Sequence, residues 1–264
     1  MPIDEKDYED LKRAVNILEN PSFIMRLTEY VGQPVEKVID FLPKAATGKI
    51  YGIVNATVGR LLSVALKTIG SQPGGRASTM THKIATGVSG AIGGAFGLPA
   101  LALELPISTS IILRSIADIA RSEGEQINEL ESRMACLEVF ALGGRSAEDD
   151  SSETGYYAVR AALAKAVSDA AKFIAQKGIA EKSAPVIVRL IAVLTSRFGA
   201  VVTEKMAAQA VPVIGALGGA AINLLFVDHF QDMARGHFMV RRLERTYGKR
   251  AVQAAYESIR SSGK

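Results

Sequence analysis

The chain has 264 residues, a net charge of +4 and a pI near 9.1; 48% of its residues are hydrophobic and none is tryptophan. That length buries a large core, as one big domain or two small ones, and the mild positive charge permits an anionic partner such as a membrane surface without singling one out. Cys136 is the only cysteine, which excludes an intramolecular disulfide and a cysteine-based zinc site and fits a reducing compartment. The charged N-terminus, MPIDEKDYEDLKRA, lacks the apolar core of a secretory signal. The expected location is cytoplasmic, with access to the inner membrane from that side.

Asp4 is placed to cap a helix over 4–19, in which Leu11, Val15 and Leu18 share a face. Asn20-Pro21 stops it, because the residue before proline avoids the helical region. Short helices follow at 22–31 and 34–42, then a longer one over about 45–70. The Ser71-Gln72-Pro73-Gly74-Gly75 loop marks a boundary between an N-terminal helical layer, 1–75, and a helical core, 76–264. A helix over 83–98 leads to a turn or kink at Pro99 and a helix over about 100–123, with Pro106 a second interruption and Gly124 a C-cap. An amphipathic helix over 126–142 ends at Gly143-Gly144, and the polar segment 145–155 reads as an exposed loop. Alanine-rich 156–177 and apolar 183–205 are helical. A charged helix then runs to Tyr247, Gly248 ends it, and 250–261 is a last short helix. No stretch alternates like a strand. The expected fold class is all-α, a multi-helix bundle with two glycine-rich apolar central helices packed together.

Those two helices come from two uncharged runs, 20 residues over 84–103 and 22 over 206–227. In the first, Gly87, Gly90, Gly94 and Gly97 fall in one helical stripe that lets another backbone come close; in the second, Gly215 and Gly219 belong to GALGGA, which echoes GAIGGA at 90–95. Each glycine costs about 0.8–1 kcal/mol relative to alanine in a helix, so close packing must offset them. Each run leads into an Asp-x-Ala-Arg segment, 118–121 and 232–235, at offsets of 28 and 17 residues. Duplication and chance likeness of Ala/Gly-rich helices both account for this. Burial against each other, in lipid or around a ligand are the three readings of the runs.

Glu104 interrupts an otherwise uncharged span from 84 to 113 and, in lipid, must lie at an edge or be paired. Arg114 and Asp118 are spaced to bond each other, and Asn223, Asp228 and Arg235 are candidates for the same polar network. His229 and His237 lie eight residues apart, too far to ligate one metal unaided; with Asp228 and Asp232 they read more simply as a hydrogen-bonded polar face. No HExxH, GxSxG or Walker A pattern is present, so no catalytic residue, metal or cofactor is indicated. Arg241, Arg242, Arg245, Lys249 and Arg250 form a basic cluster suited to anionic lipid head groups or a solvated face; no aromatic-interleaved platform points to nucleic acid.

The segments GAIGGAFGLPALALELPISTSIILRSIADIA (90–120), LEVFALGGR (137–145), GYYAVRAAL (155–163) and VPVIGALGGAAINLLFVDHFQDMARGHFMVRRLERTYG (211–248) together resemble the EcsC family of bacterial proteins. The resemblance runs from residue 84 onward, the first 80 residues matching in general character. It implies a mainly helical bacterial protein, from a family named for a gene beside those of an ABC exporter, and brings no catalytic residues with it. The leading expectation is a non-enzymatic protein held peripherally at the inner membrane by its glycine-rich helices, with anionic lipids or a membrane protein as partner and an accessory role in a process such as transport. The rival is a soluble helical enzyme or small-molecule or metal binder whose polar residues converge between the core helices.

Overall fold

A computed structural model describes residues 3–19, 23–68, 97–144, 155–177, 183–211 and 215–262. Among them it has ten helices and no strand: α1 (Glu5–Glu19), α2 (Phe23–Val31), α3 (Val35–Asp40), α4 (Lys44–Thr68), α5 (Gly97–Ser122), α6 (Leu130–Leu142), α7 (Tyr156–Lys177), α8 (Pro185–Gln209), α9 (Gly215–Tyr247) and α10 (Lys249–Ser262). The all-α bundle is as expected. The Asp4 carboxylate caps α1 by accepting the Asp7 N–H at 2.8 Å. Gly124 and Gly248 end α5 and α9 with φ of 81° and 86°, the left-handed conformation that glycine reaches at least cost.

α9 is the axis of the fold: at 33 residues it is about 50 Å long. α1, α2, α5, α6, α8 and α10 all pack on it. Its buried face carries Phe226 and Phe230, which meet Phe198 of α8 and Phe140 of α6 with ring centroids 5.1–6.2 Å apart. Such tilted and edge-on pairs suit the ring quadrupoles and anchor three helices at one point. Gly236 lets α1 come close, since a Cβ there would stand 2.7 Å from Leu18 Cγ.

Helix directions follow from the contacts. Glu104 bonds Asn223 and Ser115 bonds Gln231, so α5 and α9 run parallel. Lys205 lies over Phe226 while Phe198 meets Phe230, so α8 runs against α9. Tyr51 meets Gly199 and Gly59 meets Ile191, so α4 runs against α8 and hence with α5 and α9. The N-terminal ends of α4, α5 and α9 therefore lie at one end of the bundle. The two helices that follow the glycine-rich segments pack side by side.

Three sequence readings change. Pro106 does not interrupt α5: the intrahelical bond it cannot make is to the carbonyl of Ala102, which is on the exposed side. The Thr109 and Ser110 hydroxyls also bond the carbonyls of Leu105 and Pro106, each at 2.6 Å. The helix expected from 126 begins at Leu130, because the preceding turn brings Glu125 to the Ser132 hydroxyl at 2.8 Å. The run 206–227 is not one helix: α8 ends at Gln209, and α9 begins at Gly215. α1, α2 and α4, from the N-terminal layer, pack on α5, α6, α8 and α9. Gly87, Gly90 and Gly94 of the expected stripe, with the 71–75 loop and most of the 145–155 loop, lie outside the described residues; Gly97 and Gly215 open α5 and α9, and Gly219 is buried.

Candidate functional site

α5 carries one buried charge, Glu104, and α8 carries two, Arg197 and Lys205. Leu101, Glu104, Leu105 and Ser108 face inward from α5, and Leu194, Phe198, Val201 and Lys205 from α8. Glu104 is 7% exposed and Lys205 is 0% exposed. Lys205 Nζ donates to both carboxylate oxygens at 3.0 and 2.9 Å, and Asn223 Nδ2 donates to Glu104 at 3.2 Å. The ammonium also sits 4.6 Å from the centroid of the Phe226 ring, a cation–π contact in a desolvated setting. Burial pushes the Glu104 carboxyl up, but the Lys205 charge and hydrogen bonds from Lys205, Ser108 and Asn223 outweigh it, and the net shift is below its ordinary value. The single Ser108 proton has two acceptors, this carboxylate and the Leu105 carbonyl at 3.2 Å. Sequence reasoning found Glu104 and Asn223 and missed Lys205. The signal was its place at i+11 from Leu194, on the stripe that Phe198 and Val201 continue at i+4 and i+7.

The other candidates fall into separate groups. Arg114 is exposed, and among the described residues no ion pair joins it to Asp118. Asp118 instead takes Arg121 at 2.5 Å, and Asp232 takes Arg235 at 2.6 Å and Arg26 at 3.2 Å. The acid N-terminal to the base is the better order on a helix. Both Asp-x-Ala-Arg segments thus close the same i,i+3 ion pair, on parallel helices at nearly the same height. Asp228 lies half-buried one turn before Asp232.

His229 Nε2 lies 2.9 Å from the Gly143 carbonyl, which assigns the proton to Nε2; Nδ1 is buried without a hydrogen-bond partner. Burial pushes this imidazole down to about 4 despite the Gly143 bond, so it is neutral near pH 7. His237 shares a hydrogen bond of 2.9 Å between Nδ1 and the Tyr156 hydroxyl, and burial with the nearby Arg160 and Arg241 charges pushes it well below the usual range. Among the described residues, no three of His, Cys, Asp and Glu gather closely enough to hold a metal. Cys136 is fully buried, which pushes its thiol up and away from reactivity.

Three residues of the basic cluster are held in ion pairs with carboxylates of the fold. Arg241 and Arg245 both bond the Glu125 carboxylate, the former at 2.8 and 3.2 Å. Arg242 bonds Asp10 at 2.5 Å and reaches Glu123 at 3.2 Å. The same end of α9 brings Glu244 to Arg160 at 2.9 and 3.1 Å and to the Tyr157 hydroxyl at 3.0 Å. Only Lys249 and Arg250 of the five stand exposed without a carboxylate partner among the described residues.

Large apolar side chains collect elsewhere on the surface. Seven are exposed among the described residues, and four lie where the parallel helices begin: Phe41 just before α4 (86% exposed), Leu103 (75%) and Ile107 (56%) on α5, and Leu224 (37%) on α9. Met25 and Tyr30 belong to α2, and Val188 lies at the opposite end, near the start of α8. By length and composition alone, Leu98–Ser122 and Pro185–Gln209 are long and apolar enough to cross a membrane; 56% of each apolar window is buried inside the fold, as a core helix of a soluble protein also is.

A family model described as the EcsC protein family matches residues 18–243. The chain belongs to the EcsC protein family. The match spans the last turn of α1 to most of α9, so the family character reaches further toward the N-terminus than residue 84 and takes in α2, α3 and α4. It also includes Glu104, Lys205 and Asn223, the whole of the buried ion-pair network. No curated protein and no solved structure matches the chain.

Proposed function

We propose that this EcsC protein is a non-enzymatic, cytoplasmic helical protein that docks peripherally on the inner membrane with the bundle end where α4, α5 and α9 begin, as an accessory to a membrane process. The observation that carries the reading is that four of the seven exposed large apolar side chains among the described residues, Phe41, Leu103, Ile107 and Leu224, lie toward that end. A single exposed apolar residue needs no explanation, whereas a group at one end of an otherwise well-buried bundle marks an interaction surface.

The size of the patch favours a reversible contact. Burying a large apolar side chain contributes about 1.5–3 kcal/mol when it starts fully exposed. Four partly exposed ones give on the order of 5 kcal/mol, close to what one acyl chain supplies, and one acyl chain alone binds only marginally. Glu104, the buried carboxylate of α5 at this end, is neutralised by Lys205. The groups best suited to acid–base or metal chemistry, His229 and His237, are each held by a structural partner, which supports a non-catalytic role.

Sedimentation of the purified protein with lipid vesicles tests the reading. Binding is expected, and replacing Leu103 and Ile107 together by serine is expected to remove most of it while leaving the thermal midpoint unchanged. Recovery of the unsubstituted protein entirely in the supernatant, with vesicles of every composition, contradicts the proposal.

A further inference from the structure

α4 has the sequence KAATGKIYGIVNATVGRLLSVALKT, with four cations and no acidic residue in 25 positions. Its inward arc is apolar and buried: Ile50, Val54, Val58, Leu61, Leu62 and Ala65. All four cations, Lys44, Lys49, Arg60 and Lys67, are exposed, Lys44 at the first position of the helix, and none has a carboxylate partner among the described residues. At 100° per residue, Lys49, Arg60 and Lys67 fall within about 20° of one line, over about 27 Å of helix. Arg160, Arg241, Arg242 and Arg245, by contrast, are paired with carboxylates.

The neighbouring helices extend this asymmetry. α5 runs beside α4 in the same direction, and Leu103, Ile107 and Arg114 are exposed within about 40° of one line along it. From Gly97 to Ala117 of α5 and from Gly215 to Val227 of α9, the only carboxylate is the buried Glu104. Among the described residues, the exposed side of α4 and of α5 thus combines cations that have no carboxylate partner with exposed apolar side chains. Long basic side chains at the edge of an apolar patch can keep their charged heads at head-group level while the apolar groups enter the acyl boundary.

We infer that α4 is the electrostatic half of the docking surface, and that its outer face binds anionic lipid head groups with the bundle tilted onto its α4–α5 side, so that Lys49 and Arg60 reach the bilayer that the apolar end enters. This inference rests on the membrane-docking reading and adds the lipid class and the residues that select it. It also replaces α9 and the start of α10 as the expected basic contact. Each surface cation near an anionic leaflet contributes an attraction equivalent to about a fivefold gain in binding, so the set supplies the second signal that the apolar patch lacks.

Two double variants with the same change in net charge test it. Lys49→Glu/Arg60→Glu alters the α4 line; Lys249→Glu/Arg250→Glu alters exposed cations on α10. Binding is measured to vesicles of phosphatidylcholine alone and of phosphatidylcholine with one quarter phosphatidylglycerol, at low salt and in 0.5 M NaCl. The unsubstituted protein is expected to favour the anionic vesicles by about tenfold or more at low salt, with the margin shrinking in high salt. The α4 variant is expected to lose that margin yet keep its weaker binding to phosphatidylcholine, and the α10 variant to keep both. Equal loss in the two variants, or no loss in the α4 variant, overturns the assignment to α4. Equal binding to the two vesicle types by the unsubstituted protein overturns the inference while leaving membrane docking intact, and no binding to either overturns both. Circular dichroism melts of both variants confirm that the fold is retained.

Discussion

Lys205 Nζ lies 3.0 and 2.9 Å from the two carboxylate oxygens of Glu104, and no part of the lysine side chain reaches solvent. The pair ties α5 to α8, and Asn223 brings in α9, just below the exposed apolar end. Removing one member leaves the other charged in a dry core, a loss of about 3–5 kcal/mol. Lys205→Met is expected to destabilise the protein by that amount in chemical denaturation, while Glu104→Met/Lys205→Met, which removes both charges, is expected to lose less than either single variant. Additive losses in the double variant contradict mutual neutralisation.

The same pair gives the protein an acid limit. The Glu104 carboxyl sits below its ordinary 4.5, so its stabilising contribution is complete above that value and is lost as pH falls through the lower folded value. The buried histidines act at milder pH. His229 falls from 6.5 to about 4, so its stabilising contribution is complete above 6.5 and lost progressively between 6.5 and 4. A shift of that size is worth about 3 kcal/mol. Unfolding free energy is expected to decline between pH 7 and 5, and His229→Gln is expected to flatten that decline. Imidazole NMR signals of His229 that titrate near pH 6.5 in the folded protein contradict its burial as a neutral group.

Glycine substitutions separate contact glycines from idle ones. A Cβ at Gly143 would stand 2.6 Å from His229 Nε2, and one at Gly199 would stand 2.5 Å from the Tyr51 ring. Alanine at either position is expected to cost about 1–3 kcal/mol. Gly48 and Gly52 of α4 have nothing within 4 Å of an added Cβ. Alanine there is expected to stabilise by about 0.5–1 kcal/mol through helix propensity alone. Thermal midpoints of the four variants check this, and a loss at Gly52→Ala matching that at Gly143→Ala contradicts the packing described.

Much of the fold was legible because periodicity and punctuation agree. Asp4, Gly124 and Gly248 carry their own local geometry, and the 156–177 helix matches α7 (Tyr156–Lys177). Pro106 misled because its local cost is offset by solvent at Ala102 and by hydroxyls one turn on. The site was less legible because partners lie far apart in sequence. Glu104 announced itself as a charge in an apolar span, but its ammonium comes 101 residues later. The basic run at 241–245 looked free because Asp10, Glu123 and Glu125, which neutralise it, come from α1 and from around the turn after α5. The outward face of α4 was hidden by its small residues, which blur the contrast between its two sides.

The most direct test of membrane docking is the environment of Leu103 on vesicle addition. Cys136 is fully buried and its thiol unreactive, so an environment-sensitive fluorophore can be placed selectively on Leu103→Cys, or on Val188→Cys at the other end of the bundle. With anionic vesicles, the probe at 103 is expected to shift to the blue and to resist an aqueous quencher, while the probe at 188 is expected to do neither. A probe at 103 that stays fully quenchable on bound vesicles, or a larger shift at 188, contradicts docking by this end of the bundle.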